Sequence, residues 1–293
     1  MKMTKRSGRY VRIGGATVLV LLILIFVISI GGWVMKKQYR ELVNSHLAAE
    51  SIADKGTPAV LTEGDIAYMP EPVQNYLRYM GAVGKARVEN TKISIKGEMK
   101  LGKDRPWSRV TVDQTNFYKD YARLFFIKTR MFGIPVSGID SYVGGKGRMH
   151  IKLASWLTVA DQTGPEMDQA ELVTLLNDIS LLSPGALVDN RIKWTPVDEH
   201  SASCTMEDGG VKVAATLYFN DDGALVDFVT DDRYFTKPDG EYVRTRWSTP
   251  VRDYRTVGGV TFPTYGEAVW HLPEGDFLYA KFHMDRIEHN VSE

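Results

Sequence analysis

Two periods of hydrophobic and polar residues alternate along this chain. From Lys85 onward the apolar positions mostly recur every second residue. In TKISIKGEMKL, Ile93, Ile95, Met99 and Leu101 share one face, and Ser94, Lys96, Glu98 and Lys100 share the other. VKVAATLYF repeats the pattern with Val211, Val213, Ala215, Leu217 and Phe219, and FLYAKFHMDRI with Leu278, Ala280, Phe282 and Met284. Such alternation predicts β-strands that bury one face. Between these runs stand EDGG (207–210), NDDG (220–223), KPDG (237–240), Gly258-Gly259 and PEGD (273–276). Gly, Asn and Asp supply the positive φ that tight turns need, so five hairpins and six strands are predicted from Ser201 to His289. Residues 85–159 add four or five strands, with VGGKG (143–147) as one of their turns. The expected fold is mainly β (α+β): a large curved antiparallel sheet, a half-barrel of about eleven strands, wrapped around one or two helices.

The helical period appears in two places. In MPEPVQNYLRYMGAVG, Val73, Tyr76, Leu77 and Met80 fall at i, i+3, i+4 and i+7, which predicts a helix over 72–80. In DQTGPEMDQAELVTLLNDISLLSPG, Leu172, Leu175, Leu176 and Ile179 form a second such stripe, with Glu171, Thr174 and Asp178 facing away from it. Thr163 and Glu166 match a capping box, and Pro165 suits the first turn. Glu166, Asp168 and Glu171 are thereby explained as helix-start residues favoured by the helix dipole, not as an acid/base pair. The helix itself is expected to cover the concave face of the sheet.

One segment has no period at all. IGGATVLVLLILIFVISIGGWVM, residues 13–35, carries no charge. At about 1.5 Å per residue it is long enough to cross a bilayer core. Lys2, Lys5, Arg6, Arg9 and Arg12 precede it, against Lys36, Lys37 and Arg40 just behind it. The more basic flank stays in the cytoplasm. The expected organisation is a cytoplasmic basic tail (1–12), a transmembrane signal anchor (13–35), a stalk helix and linker (36–64), and an extracytoplasmic half-barrel domain (65–293). The expected location is the cell membrane, single-pass, with the N-terminus cytoplasmic.

Charge and composition narrow the chemistry. Lys plus Arg and Asp plus Glu are both 36, but the basic tail leaves the remainder acidic, which argues against nucleic-acid binding. The six histidines lack H-x-x-x-H or H-E-x-x-H spacing, so no metal site is expected. GIDSYVGGKG departs from the phosphate-loop pattern at Asp140 and Gly147, and G-x-S-x-G is absent. Cys204, the single cysteine, sits in a strand-like run and suits a small buried core residue. No cofactor motif and no catalytic constellation stand out, so the chain is not expected to be an enzyme.

The aromatic residues suggest a binding site. Trp107, Phe126, Tyr142, Trp156, Trp247 and Trp270 are spread over many strands. With Leu172 and Leu176 of the helix they are the candidate ligand-binding residues, lining a cavity between helix and sheet. Core packing explains the same residues without a ligand. Arg244 and Arg246 of EYVRTRW are a candidate anion anchor, or simply exposed strand charges. The leading expectation is a membrane-anchored binding protein for a lipid or other apolar ligand, with a cavity of several hundred Å³. A structural or sensory envelope protein that binds a protein partner is the alternative. Carboxylates with perturbed pKa values converging in a cleft would favour an enzyme.

Several stretches together carry a resemblance. They are Met69–Leu77, Trp107–Gln114, DSYVGGKG (140–147), GPEMDQAEL (164–172), SPGALVDNRIKWTPVD (183–198) and GVTFPTYGEAVWHL (259–272). The chain resembles an uncharacterised family of membrane-anchored prokaryotic proteins, departing from it in the segment before Pro184, which reads LLSPG where the family has an aromatic-Phe-Pro flavour. The resemblance carries no catalytic residues. In strand number and helix placement the predicted domain is also similar to the half-barrel of the LolA/LolB lipoprotein carriers. That likeness implies a fold, not a function.

Overall fold

The computed structural model describes residues 33–51, 58–100, 102–131, 133–154, 156–237, 239–257 and 259–292. The basic tail, and the expected span except Trp33, Val34 and Met35, lie outside these residues. No helix among the described residues is long and apolar enough to cross a membrane.

The chain enters as α1 (33–51), followed by α2 (Glu63–Ile66) and α3 (Glu71–Tyr79). Alternating residues then form β1 (Asn90–Lys100), β2 (Trp107–Phe117), β3 (Ala122–Met131), β4 (Ile134–Val143), β5 (Lys146–Leu153) and β6 (Leu157–Gln162). After α4 (Pro165–Leu182) and a 3-10 turn (Pro184–Leu187) come β7 (Ile192–Asp198), β8 (Ser201–Asp208), β9 (Val211–Phe219) and β10 (Leu225–Thr236). β11 (Tyr242–Ser248), β12 (Val251–Val257), β13 (Val260–Leu272) and β14 (Gly275–His289) complete the chain. All belong to one antiparallel sheet of fourteen strands, in the order β6-β5-β4-β3-β2-β1-β14-β13-β11-β10-β9-β8-β7, with β12 beside the path on β13.

The expected eleven strands are therefore too few. Residues 90–162 hold six, and β7 precedes the meander. Pro250 lacks an N–H and divides the run 242–257 into β11 and β12. Proline also marks the edge: β7 carries Pro196 and ends the sheet, where a missing donor is tolerated.

β6 and β7 are the two edges, and α4 is the chain between them. The helix lies inside the curve and contacts β3, β4 and β5 on one side and β9, β10 and β13 on the other. The curve nearly closes at the turns after β4 and β8. There Gly145 and Gly209 touch: a Cβ on Gly145 would lie 2.8 Å from the Gly209 Cα, and one on Gly209 would lie 2.5 Å from the Gly145 Cα. Both also have positive φ, 76° and 57°, so glycine serves backbone and contact together.

The start of α4 differs from the expected capping box. Gly164 is the N-cap, at φ 118°, with no side-chain cap. Asp168 instead holds the β4–β5 hairpin, accepting from Gly147 N and Lys146 Nζ, each at 2.8 Å. A capping box does form at the start of α2, between Thr62 and Asp65.

The segment expected as a stalk lies along the outer face of the sheet. Met35, Tyr39, Val43 and Leu47 of α1 are buried against Phe117, Leu124, Phe126 and Ile139. This second small core explains why β3 is apolar on both faces. α3 matches its expected span, with Val73, Tyr76 and Leu77 buried, and Tyr76 Oη donates to Ser180 O of α4 at 2.7 Å.

Candidate functional site

The site begins with a charge on an apolar strand. β3 turns Arg123 and Phe125 to the concave side and Leu124 and Phe126 to the outer side. Arg123 Nε donates to Asp178 Oδ2 of α4 at 2.7 Å. Its Nη1 donates to Glu171 Oε2 of α4 at 3.0 Å and to Asp140 Oδ2 of β4 at 3.2 Å. Gln114 Nε2 of β2 adds a bond to Asp178 Oδ2 at 2.6 Å. Glu171, Thr174 and Asp178, expected to face away from the core, are thus buried. The helix is apolar on one side, and on the other it is polar yet covered, because the sheet supplies Arg123 as a counter-charge. A buried charge without a partner would cost several kcal/mol.

The electrostatics follow from this enclosure. Burial disfavours the Arg123 charge, but Asp178, Glu171 and Asp140 more than offset it and hold the guanidinium above its ordinary pKa. Burial, reinforced by Asp140, pushes Glu171 up to about 8 against the opposing pull of Arg123. Near neutral pH Glu171 is therefore largely protonated and Arg123 keeps its charge.

Between this cluster and the middle of the sheet lies a cleft of about 170 Å³. Asp140, Asp178, Thr174 and Asn177 line its polar side. Ile95, Met99, Phe125, Trp247, Phe282 and Met284 line much of the rest. Arg233 also reaches the cleft, from a bulge in β10 between Thr230 and Arg233. Its guanidinium lies over Trp247, 4.4 Å from the ring centroid, and 5.6 Å from that of Trp270. Among the described residues, two buried polar atoms of cleft-lining side chains have no hydrogen-bond partner: the donor Arg233 Nε and the acceptor Asp140 Oδ1.

The eight candidate ligand residues part company here. Trp247 lines the cleft, and Trp270 adjoins it through Arg233 and Tyr279. Leu172 and Leu176 are fully buried in the main core, on the helix face away from the cleft. Tyr142 is buried near the helix start, where its Oη donates to Asp208 Oδ2 at 2.7 Å and burial raises its pKa. Phe126 faces outward and stacks on Tyr39 of α1, with centroids 5.6 Å apart. Trp107 lies under Lys100 and Lys281, and Trp156 is exposed. Arg244 and Arg246 pair with Asp232 and Asp231 and do not line the cleft. Cys204 is buried, and its thiol is pushed up to about 12 by that burial.

Arg123, Asp140, Asp178 and Arg233 escaped the sequence reading. One signal was present: Arg123 stands in ARLFFI, a run apolar at both parities, where an unpaired charge is costly. The partner carboxylates gave none, since Glu171 and Asp178 also suit the polar face of a helix and Asp140 stands ahead of a hairpin turn. Carboxylates do converge on the cleft. Glu171, the one with the raised pKa, sits behind Arg123 and does not reach the wall.

No curated protein matches this sequence. Among solved structures, the chain is similar to a DUF1329 family protein from Desulfovibrio piger, with a TM-score of 0.42 and 10% identity over 76% of this chain and 93% of that one. It is also similar to a LolA superfamily protein from Nitrosomonas europaea, with a TM-score of 0.37 and 9% identity over 75% and 94%. The profile of DUF6544, a family of unknown function, matches residues 59–282, and the chain belongs to that family.

Proposed function

We propose that this protein is a membrane-tethered binding module whose ligand is an apolar chain or ring bearing a polar head. The supporting observation is the cleft between the polar stripe of α4 and the sheet, apolar over much of its wall and edged by charged and polar side chains of α4, β3, β4 and β10. Its volume is below the several hundred Å³ expected for a whole lipid. A dry cavity of about 150 Å³ takes a benzene-sized guest. The cleft thus suits one ring or a short acyl segment, with the remainder of a longer molecule outside.

The polar groups define the head. Side chains of both signs line the cleft, Arg123 and Arg233 beside Asp140, Asp178 and Glu267. Each sign has its opposite close by, which favours a neutral or zwitterionic head over a bare ion. A head with both acceptor and donor groups matches the guanidinium and carboxylate side chains that line the cleft. A hydroxyl or a zwitterion has this chemistry. Acid/base catalysis is the weaker reading, because Arg123 holds the carboxylates in fixed hydrogen bonds.

Mass spectrometry of material that co-purifies with the full chain in mild detergent tests the proposal. Ala268 lines the cleft, so Ala268→Phe should fill it. The expected result is an amphiphile with a neutral or zwitterionic head on the native chain and its loss from a folded Ala268→Phe variant. Identical material on both, or none on either, would overturn the reading.

A further inference from the structure

The tips of the β3–β4 and β5–β6 hairpins form an exposed apolar patch that the cleft does not use. Leu157 is 63% exposed, Trp156 57%, Val159 47% and Ile134 41%. Register places the two tips side by side: Met131 pairs with Ile134, Val136 with Leu153, and Leu153 with Leu157. Ala154 N also donates to Pro135 O at 2.7 Å, joining one hairpin to the other. Residues 127–135 and 150–159 carry Lys128, Arg130 and Lys152 and no carboxylate. Aliphatic side chains and a tryptophan framed by cations match the requirements of a bilayer interface with anionic lipid.

The direction of α1 shows what lies opposite this patch. Glu50, at its C-terminal end, binds Asn90, and His46 stacks near Phe117. Toward its start, Tyr39 binds Thr115 and Lys36 pairs with Asp113, which is in register with Phe126. α1 therefore runs parallel to β2 and antiparallel to β3, and its start points toward the 131–134 and 154–157 tips. From Phe126 to Met131 the strand continues about 16 Å past the level of Lys36, at about 3.3 Å per residue. Lys36 is also where the uncharged run 13–35 ends. The two tips thus project toward the side from which the apolar segment enters the domain.

We infer that these two hairpin tips seat in the bilayer interface beside the anchor and fix the orientation of the half-barrel on an anionic membrane surface. The inference rests on reading residues 13–35 as the membrane span. A rigidly seated domain, held at α1 and at two tips, would keep its cleft at a constant height above the lipid.

The test uses the full chain in vesicles of phosphatidylcholine, with and without phosphatidylglycerol. Cys204 is buried and is replaced by Ala to remove background. Single cysteines at Ile134 or Leu157 then carry an environment-sensitive fluorophore. A third, at Asp120 in the exposed β2–β3 turn at the other end of the same strands, is the control. Nitroxide-labelled lipid should quench the Ile134 and Leu157 probes several-fold more than the Asp120 probe, and phosphatidylglycerol should increase the difference. Ile134→Asp together with Leu157→Asp should abolish quenching of a probe at Val159 while the chain still floats with vesicles in alkaline carbonate. A floating chain with tips quenched no more than Asp120 would overturn the inference and leave the anchor intact. A chain that does not float would overturn both. Probe shifts that follow protein density and not lipid would assign the patch to contact between copies and overturn it as well.

Discussion

Glu171 is an acid kept from ionising by its surroundings. Burial and Asp140 push it up to about 8, from 4.5 for the free group. Between these values the folded chain holds a proton that the unfolded chain has lost, so this group removes stability as pH rises from about 4.5 to about 8. Asp227, pushed up to about 6 by burial, acts in the same direction. Glu171→Gln should therefore flatten much of the loss of stability over that window and leave the part due to Asp227. Denaturant midpoints measured at intervals from pH 5 to 8 decide this, and an unchanged slope in the variant would count against it. Arg123 bears the opposite burden. Arg123→Met leaves Asp178, Glu171 and Asp140 without their common donor and should cost about 3–5 kcal/mol by chemical denaturation. A cost below about 1 kcal/mol would show that the carboxylates find other partners.

Among the elements, turns and helix faces carried different amounts of information. The VGGKG and EDGG turns were evident from glycine and its neighbours. Their mutual contact was not, because 64 residues separate Gly145 from Gly209. Gly209→Ala should destabilise the domain more than Gly210→Ala. Both residues have positive φ, but a Cβ at 210 meets nothing within 4 Å while one at 209 meets the Gly145 backbone. The backbone cost common to both is on the order of 1–3 kcal/mol, so the difference between the two variants isolates the contact. Equal thermal shifts would mean that the two turns part readily. The hairpin before β14 shows a related limit. PEGD was expected to be the whole turn, but the pairing Leu272–Gly275 and His271–Asp276 leaves only two residues in the loop. A bulge at Ala268/Val269 then resets the register, and Tyr265 stands opposite His283.

On the scale of the whole molecule, the sheet is both wall and clamp. Its edges, β6 and β7, are joined by α4, so the chain threads its own curve and buries nearly all of that helix. The outer face is used as well, by α1. If the run 13–35 spans the membrane with the basic tail inside, alkaline phosphatase fused to the C-terminus should be active. A cytoplasmic reporter at the same place should be silent. The reverse result would place the domain on the other side and remove lipid-phase ligands of the outer leaflet from consideration.

The sequence by itself determined the class of fold, the two amphipathic helices, most hairpin turns and the membership of one continuous antiparallel meander. These follow from residue periodicity and turn chemistry, which act over a few neighbours. It placed Cys204 in the core and α3 within a residue or two for the same reason. Tertiary structure alone decided the strand count around Pro250, the return of α1 to the outer face, and which aromatic residues meet. Phe126 and Phe125 are neighbours in one strand, yet one stacks on α1 and the other lines the cleft. The composition of both faces of β3 is apolar, so period two could not choose between them. Tertiary structure also converted the polar stripe of α4 from solvent face to cleft wall. That decision belongs to Arg123, whose charge is tolerable inside only because three carboxylates, from β4 and two turns of α4, arrive at it together.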